Sequence, residues 1–400
     1  MTGTEVTVDE LDLALVNALQ LRPRAPWSLL GQTLGISPVT AARRWQRLSE
    51  AGIAWVTAYG LPHPEDRGCV AHLDLDCAPD RTARIADELA EDPHVMSIEH
   101  FSQGCDLAVT AAFTDLAALS RYTTQRLARL PGVDAVRVHL TTGFYAEGIR
   151  WRLDSLDPAQ RGELHDNQPA GNGKPSAVRA EVREEDRELL IRLGVDGRLD
   201  QAALAAATGL SPSTLRRRLD RLAASDAIRF RCEIAARDAG RPVLATFRAD
   251  LPPDRLDTVG PQLAGLPETR LCVSVTGTHN LLLSVWQRSL ADVQRLETAL
   301  TRRFPDLRVA ERRVSLRTVK RMGRILDTDG RAVRAVPMDI WRDPAPATRQ
   351  PPGPATAPGT TTAGPPNATV HRINTSTQSL PPDGPGRHVD RHPRTPHTPT

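Results

Sequence analysis

The chain repeats itself at an offset of 174 residues, and this repeat limits the folds that are open to it. The phrase GISPVTAARRWQRL begins at Gly35, and GLSPSTLRRRLDRL begins at Gly209. The match extends upstream without a gap to Asp12 and Asp186. A period this long indicates duplicated domains rather than a solenoid of short repeats. With 400 residues, the chain is long enough for several domains.

Each copy begins with a block of three predicted helices. In the first copy, leucines at helical spacing predict a helix that ends before Pro23, and a short helix follows at 27–34. Gly35 marks a turn, and Ser37 with Pro38 opens the third helix, because serine is a favoured N-cap and proline suits the first helical position. The order predicts helix-turn-helix (HTH) DNA-binding domains of the winged type. We place them at 8–60 and 182–232.

Each helical block is followed by alternating strand and helix signals in the order βαββαβ. The predicted strands are 69–76, 95–101, 107–113 and 133–141 in the first copy and 243–249, 269–275, 281–286 and 308–316 in the second. The predicted helices are 81–91, 116–130, 254–263 and 290–304. This order predicts an α+β, ferredoxin-like sandwich with helices on one face of the sheet. We place these domains at 67–150 and 240–325. The other face of each sheet needs a cover. We therefore expect the two halves to pair as an intramolecular pseudo-dimer, and we expect that chains can assemble further as homo-oligomers.

Two segments have the composition of connections rather than of packed domains. Residues 151–181 are predicted to be a linker, because their later part is rich in Asp, Gly, Asn and Pro. Residues 343–400 are rich in Pro, Thr and Gly and have almost no large apolar side chains. Such a segment cannot bury a core, so we predict a disordered tail.

Composition limits the kinds of function. A formal net charge of +3 excludes a uniformly basic surface, so any nucleic-acid contact needs a local patch. The sequence has no apolar run of about 18 residues and no signal-peptide pattern, so we expect no membrane span. The five cysteines form no CxxC pair, which favours a reduced, cytoplasmic protein without a metal site. The motifs for catalysis or nucleotide binding are missing, so we predict no catalytic residues and no cofactor.

The third helix of each copy has an apolar side and a basic side. Ala41, Trp45 and Leu48 share one side, whereas Arg43 and Arg47 lie opposite. A guanidinium can bind phosphate or the O6 and N7 atoms of guanine, and hydroxyls near a helix start can reach phosphate. The alternative is a solvated basic face that suits the helix dipole. Because the arrangement occurs twice behind a capped turn, we predict DNA contact by Ser37, Thr40, Arg43, Arg44, Arg47, Ser211, Thr214, Arg216, Arg217, Arg218 and Arg221.

These motifs resemble those of the Lrp/AsnC family of bacterial transcription regulators. The segments that carry the resemblance are VDELDLALVNALQLRPRAPW, LGISPVTAARRWQRLSEAGI, REEDRELLIRLGVDGRLD and TGLSPSTLRRRLDRLAASDAI. The likeness spans nearly all of 8–145 and 183–320. The family usually has one unit per chain, so this chain resembles a tandem fusion. The resemblance implies a ligand-sensing (RAM-type) domain and a small effector, an amino acid or a related molecule.

The resemblance also implies where the effector binds. The family has a glycine followed by an acidic residue in the hairpin between the second and third sensing-domain strands. Gly104 with Asp106, and Gly277 with Asn280, stand at that place. Because asparagine would bind an α-amino group more weakly than a carboxylate does, we expect an altered site in the second half. Ordinary turn chemistry is the alternative explanation for all four residues.

Two other functions are open. Sirohaem decarboxylases resemble this family, can be fused pairs, and place basic and histidine residues around a tetrapyrrole. They would be expected to lose the basic recognition helix, which this chain keeps in both copies. No spacing that indicates catalysis is found among the histidines His72, His94, His100 and His139. A ligand-sensing partner protein without DNA binding is the third possibility. We predict a sequence-specific, double-stranded-DNA-binding regulator that is not an enzyme.

Overall fold

The structure, a computed structural model, describes residues 6–60, 62, 67–166, 182–225 and 227–344. Residues 167–181 of the predicted linker and 345–400 of the predicted tail lie outside the described residues. Among the described helices, none has both the length and the apolar character needed to cross a membrane.

The described elements follow the repeat. The helices are α1 (Glu10–Leu21), α2 (Trp27–Leu34), α3 (Pro38–Glu50), α4 (Thr82–Ala90), α5 (Leu116–Arg121), α6 (Pro158–Asp166), α7 (Glu184–Val195), α8 (Gln201–Thr208), α9 (Pro212–Ala224), α10 (Pro253–Ala264) and α11 (Leu290–Arg303). The strands are β1 (Ala54–Tyr59), β2 (Cys69–Cys77), β3 (Val95–Phe101), β4 (Leu107–Phe113), β5 (Val133–Ala146), β6 (Arg229–Ile234), β7 (Val243–Asp250), β8 (Thr269–Val275), β9 (Leu281–Gln287), β10 (Arg308–Arg321), β11 (Arg324–Leu326) and β12 (Ala332–Ala335).

Helices α1–α3 and α7–α9 form the two predicted HTH heads. The turn before each third helix uses a glycine with positive φ, 66° at Gly35 and 68° at Gly209. The hydroxyl of Ser37 then accepts a hydrogen bond from the Thr40 amide at 3.0 Å, and Ser211 caps α9 of the second head in the same way. The predicted caps are therefore confirmed. Each third helix buries its apolar side, Ala41, Trp45 and Leu48 in the first head and Leu215 and Leu222 in the second.

The two heads are joined by strands that the sequence analysis did not predict. Strands β1 and β6 pair antiparallel along their whole length, from Ala54 opposite Ile234 to Tyr59 opposite Arg229, and we refer to this pair as the ribbon. Two arginines at equivalent positions reinforce the joint: Arg24 donates to backbone carbonyls of the second head, and Arg198 donates to those of the first. The heads therefore form a pseudo-symmetric pair within one chain.

The two βαββαβ domains form one closed sheet. The strand order is β12-β11-β10-β3-β4-β2-β5-β8-β9-β7, and β7 also pairs with β10, so eight strands close into a barrel. Closure depends on the two longest strands. Strand β5 pairs with β2 up to Leu140 and with β8 from Thr141, and β10 pairs with β7 up to Val314 and with β3 from Ser315. The expected pairing of the halves through their sheets is thus present within the chain.

Helices α4, α5, α10 and α11 lie on the outside of the barrel, where each domain has its own apolar core. The helix predicted at 116–130 is less regular than expected, because α5 continues as a π-helical turn (Tyr122–Arg126) and a 3₁₀ turn (Leu127–Arg129).

The first part of the predicted linker is packed structure, which corrects the expectation for 151–166. Trp151, Leu156 and Leu164 are buried in the core of the first head, and α6 packs beside α1 and α2. Beyond the second sensing domain, β11 and β12 return to the first head, where the Ala332 amide donates to the Gly52 carbonyl at 2.8 Å. The segment up to Pro344 therefore belongs to the folded body, including the first two residues of the predicted tail.

Candidate nucleic-acid interface and sensing sites

A buried carboxylate lies beneath each third helix. Asp12 of α1 is fully buried and accepts hydrogen bonds from Arg44 at 2.9 Å and from Arg47. At the equivalent place in the second head, the fully buried Asp186 accepts from Arg221, and the nearest Arg218 nitrogen lies 3.8 Å away. These arginines therefore join the third helix of each head to its first helix.

The partners of Arg44 and Arg218 complete this arrangement. Arg44 also contacts Asp9 at 2.7 Å, and its hydrogen bonds to Asp9 and Asp12 raise the pKa of its guanidinium. Arg218 donates to the Glu185 carbonyl at 2.8 Å. Four of the arginines that the sequence assigned to DNA contact thus have intramolecular partners: Arg44, Arg47, Arg218 and Arg221.

Three of the predicted arginines remain available. Arg43, Arg216 and Arg217 are exposed and have no ion pair or hydrogen bond within the described part of the chain. Arg43 and Arg217 occupy equivalent positions, whereas Arg216 corresponds to Ala42. Each head also presents a threonine near the helix start, exposed Thr40 in the first and partly exposed Thr214 in the second. The Ser37 and Ser211 hydroxyls are used as N-caps.

One candidate was missed by the sequence analysis. Val39, in the first turn of α3, is 77% exposed, which is high for a large apolar side chain. The residue at the same position of the second head is Ser213. An apolar residue beside the basic face was the available signal. Val39 therefore adds an apolar group to the first head's exposed face.

The predicted effector residues Asp106 and Asn280 have matching structural contacts. The Asp106 carboxylate accepts a hydrogen bond from the Cys77 amide at 2.7 Å. The Asn280 side chain accepts from the Leu251 amide at 3.1 Å and donates to the Leu251 carbonyl at 2.7 Å. Cys77 and Leu251 are equivalent in the repeat. Both hairpins therefore use this residue to hold the end of the domain's first strand.

The glycines of the same hairpins allow close approach between the two sensing domains. A Cβ atom on Gly104, where φ is +81°, would lie 2.5 Å from Nε of Arg313, which belongs to β10. A Cβ atom on Gly277, where φ is +118°, would lie 2.6 Å from Nδ1 of His139, which belongs to β5. Turn geometry and interdomain packing thus account for both glycines. Effector contact by the four hairpin residues stays a prediction.

An open groove of about 420 Å³ lies beside the first hairpin. It includes Gln103 and Gly104 from the first half of the chain and charged side chains from the second half. The lining residues are Gln103, Gly104, Glu297, Val309, Ala310, Glu311, Arg312 and Arg313. This groove is the described pocket nearest to the predicted effector residues.

A second cavity, of about 140 Å³, lies inside the barrel and was not predicted. Its wall includes five arginines, although barrel interiors are usually filled by apolar side chains. Arg270 is held by Glu233 at 3.0 Å and lies over the Trp286 ring at 4.0 Å. Tyr59 and Arg231 bring the ribbon into the same wall. Sequence alternation missed this cavity because polar residues on a strand usually indicate its solvent side.

Three of the four histidines considered for catalysis are held in structural contacts. His72 lies between the hydroxyls of Thr110 and Thr141, and burial lowers its pKa to about 4. His94 bonds the Arg342 carbonyl at 2.8 Å, and His139 bonds the Thr276 carbonyl at 3.1 Å.

Comparison with known families agrees with this architecture. The AsnC-type helix-turn-helix domain matches 8–49, a winged helix-turn-helix DNA-binding domain matches 184–229, and the Lrp/AsnC ligand binding domain matches twice, at 69–148 and 244–325. These domains define an effector-responsive DNA-binding regulator with two heads and two sensing domains in one chain. The chain belongs to the Lrp/AsnC family.

Curated relatives match one unit of the chain at a time. An uncharacterised HTH-type transcriptional regulator of Pyrococcus abyssi is 30% identical over 146 residues, which are 36% of this chain and 92% of the relative. The Bkd operon transcriptional regulator of Pseudomonas aeruginosa is 27% identical over 136 residues, 32% of this chain and 88% of the relative.

A solved structure shares the tandem fold. The sirohaem decarboxylase NirDL, in complex with an iron-uroporphyrin III analogue, aligns with a TM-score of 0.51 at 14% identity. The alignment covers 83% of this chain and 96% of that one. At this identity the likeness concerns the fold alone.

Proposed function

We propose that this chain binds double-stranded DNA through two unequal heads and that a small effector in the sensing barrel modulates the binding. The observation that carries the proposal is the set of exposed arginines, Arg43, Arg216 and Arg217, on two N-capped helices. These guanidinium groups have no acidic partner among the described residues, so their charge is available to phosphate or to guanine. A protein with this function acts on DNA in the cytoplasm, and the proposal therefore includes a cytoplasmic location.

The tethered arginines have a supporting role in this proposal. Arg44 and Arg47, with their equivalents in the second head, fix the third helix on the buried aspartate of α1 or α7. A recognition helix that is fixed in this way presents its remaining side chains with little freedom, which lowers the entropic cost of binding. Thr40 and Thr214 lie where a hydroxyl can reach a backbone phosphate.

The effector in this proposal is an amino acid or a related small molecule. The groove beside Gly104 supports a site where the first hairpin meets β10 and α11. Glu297 and Glu311, which pair with Arg312 and Arg313 in the structure, could bind an ammonium group, while Arg312 could bind a carboxylate. Effector binding would then change the relative placement of the heads, or the assembly of chains, by favouring one of two arrangements.

The fold shared with sirohaem decarboxylase keeps an enzymatic function as the second candidate. We favour a regulator without enzymatic activity for two reasons. The exposed arginine face is present in both heads, and His72, His94 and His139 are engaged with neighbouring oxygens. A sensing protein without DNA binding has no use for that face.

The test removes one available arginine from each head. Duplexes selected from a random pool by the wild-type protein are titrated with wild type, Arg43→Ala, Arg217→Ala and the double variant. We expect the double variant to bind at least tenfold more weakly, and its salt slope to fall by about two, because each phosphate contact contributes about 0.9 to the slope.

Arg295→Ala is the matched control, because Arg295 is an exposed arginine on α11 of a sensing domain. It should leave both the affinity and the salt slope unchanged. Equal behaviour of the double variant and this control would show that the heads do not contact DNA. Failure to select any duplex would favour the sensing-protein alternative.

A further inference from the structure

The cavity inside the barrel lies between the two sensing domains. Its wall takes side chains from both halves at equivalent positions, including Asp74 and Arg248, and Thr110 and Ser284. It is separate from the hairpin groove, although Arg313 borders both. The eight strands enclose this space in part, and reduced contact with bulk solvent strengthens electrostatic interactions within it.

Positive charge exceeds negative charge in the cavity wall. Glu233 lies behind the wall, and its carboxylate is shared by Arg231 and Arg270. With the ion-pair partners Glu233, Glu311 and Arg229 included, there is one more guanidinium than there are carboxylates. Burial raises the pKa of Glu99 to about 7, so this carboxyl gives up part of its charge near neutral pH. The charged wall residues are Arg231, Arg248, Arg270, Arg313 and Arg321 against Asp74, Glu99 and Glu147.

Arg248 lines the cavity and has buried hydrogen-bond donors without an acceptor among the described residues. Its side chain is 3% exposed, and Nη2 donates to Asp74 at 2.8 Å. The same Asp74 oxygen also accepts from Arg313 at 2.8 Å, so one carboxylate serves two guanidinium groups. Nε and Nη1 of Arg248 have no partner among the described residues. Leaving such donors buried without a partner is destabilising, so a bound acceptor is favoured.

A second unpartnered donor lies in the same wall. Nε1 of Trp286 is buried and has no acceptor within the described part of the chain. The ring lies under the guanidinium of Arg321 at 4.8 Å, and Arg321 has no carboxylate within ion-pair distance among the described residues. This part of the cavity therefore adds positive potential and a neutral donor.

Part of the remaining wall is apolar, with Val70, Met96, Phe144, Leu271 and Leu282, and hydroxyl groups of Ser97, Thr110, Thr246 and Ser284 lie among these side chains. A cavity of about 150 Å³ accommodates a benzene-sized molecule in other proteins, so about 140 Å³ suits a ligand of roughly six to eight non-hydrogen atoms. We infer that the barrel cavity binds a small organic monocarboxylate, with its carboxylate on Arg248 and its apolar body against the apolar side chains of the wall.

A ligand in this cavity would touch the strands that join the heads. Tyr59 of β1 and Arg231 of β6 belong to both the cavity wall and the ribbon. Arg231 also reaches Glu233, which is bound by Arg270 of the barrel. The role of this cavity as an effector site rests on the proposed function. Binding of a ligand in the cavity can be measured without DNA.

Isothermal calorimetry on the full chain tests the site with propanoate, 3-methylbutanoate and hexanoate, each compared with its primary amide. We expect at least one carboxylate to bind, at least tenfold more tightly than its amide. Arg248→Gln should weaken that binding at least tenfold. Ala108→Leu fills the cavity from β4 and should also weaken carboxylate binding at least tenfold. It serves as the second variant if Arg248→Gln does not fold.

Asp106→Asn distinguishes the cavity from the hairpin groove, because its loss of binding would place the ligand at the hairpin. Arg295→Ala, on the exposed side of α11, is the control that should leave carboxylate binding unchanged. Binding that survives both cavity variants, binding that Asp106→Asn abolishes, or no binding by any carboxylate would overturn the inference. Uptake of iron-uroporphyrin III in place of the carboxylates would also overturn it. The DNA titration of the Arg43→Ala and Arg217→Ala variants does not depend on ligand binding in the cavity. If the cavity binds no carboxylate, that titration still tests the proposed DNA contact by the heads.

Discussion

The two heads share one scaffold but present different surfaces to a partner. In both, a buried aspartate of the first helix fixes two arginines of the third, through Asp12 in one head and Asp186 in the other. The exposed positions have diverged: the second head presents Arg216 beside Arg217, whereas the first presents Arg43 and the apolar Val39. Divergence is thus concentrated in the side chains that a partner would touch.

The barrel shows the same kind of divergence within equivalent positions. His72 in the first sensing domain corresponds to Thr246 in the second, and Asp74 corresponds to Arg248, with which it forms an ion pair at 2.8 Å. A homodimer would place two identical residues across this axis, so it could not form such a pair. Fusion in one chain permits complementary residues at equivalent sites.

The largest difference that we expect between the heads concerns the buried aspartates. Asp12 accepts from two arginines and from the Asp9 amide, whereas the Oδ1 atom of Asp186 has no hydrogen-bond partner among the described residues. Removing one member of a buried charge network is strongly destabilising. We expect Asp12→Ala to cost about 3 kcal/mol and Asp186→Ala about half of that. Hydrogen exchange of α1 and α7 amides in the full chain measures both.

The direction of that difference is the critical result. If Asp186→Ala opened its head as much as Asp12→Ala opens the other, the additional contacts of Asp12 would contribute no stability. Glu10→Ala is a suitable control, because it changes an exposed acidic residue of the same helix without touching the network.

A second prediction compares His72 with Thr246 through pH. Burial, with a further contribution from Arg248, lowers the His72 pKa to about 4, so the folded protein binds fewer protons than the unfolded chain between about pH 4 and 6.5. Stability from this group is therefore present at neutral pH and is lost as the pH falls. Between pH 7.5 and pH 5 the loss should be about 2 kcal/mol.

Thermal unfolding of wild type and His72→Gln over this pH range isolates the effect. Glutamine can bond Thr110 and Thr141 but does not titrate in this range. The difference in unfolding free energy between the two proteins should change by about 2 kcal/mol with pH. A difference that does not depend on pH would show that His72 titrates as it does in water.

Local signals in the sequence predicted much of the fold. The bounds of α2, β3, β4 and β8 match the expectation, because their turns, caps and alternation lie within the segment itself. The ends of β5 and β10 could not be predicted in the same way. Each strand runs five residues beyond its predicted end because the extension pairs with the opposite domain, more than 120 residues away in sequence.

The site residues show the same limit. A helical wheel placed Arg47 opposite the apolar side of α3, with Arg44 on the flank. It could not show that Asp12, more than 30 residues earlier, binds both arginines. The recurrence of an aspartate at 12 and 186 was a signal for this pairing. In the sequence segment VLATFRAD, Arg248 has the appearance of a surface residue. Its burial follows from closure of the barrel, which covers both faces of β7 and is not visible in the sequence.

A third prediction exchanges the extra arginine between the heads. Ala42→Arg gives the first head the residue that the second has at Arg216, and Arg216→Ala makes the opposite change. We expect affinity for a selected duplex to rise about five- to tenfold in the first variant and to fall by a similar factor in the second, since one phosphate contact is gained or lost. Fluorescence anisotropy at several salt concentrations measures both the affinity and the slope.

Ala42→Gln separates charge from helix propensity, because glutamine is a good helix former without charge. It should leave the salt slope at the wild-type value. An equal gain from glutamine and arginine would mean that the exchange acts through the helix rather than through DNA.

The smallest predicted effect concerns Val39 and Ser213. Val39 is an exposed apolar side chain in the first turn of a recognition helix, where it could contact a thymine methyl group in the major groove. Burying one such methyl group contributes about 0.8 kcal/mol, or about fourfold in affinity. Duplexes in which each thymine of one half-site is replaced by uracil measure this contact by competition. Wild type should discriminate about fourfold at one half-site only, and Val39→Ser should lose the discrimination. Ser213→Val should create this discrimination at the other half-site. If Val39→Ser still discriminated, the selectivity of the first head would be assigned to Arg43 and Thr40 instead.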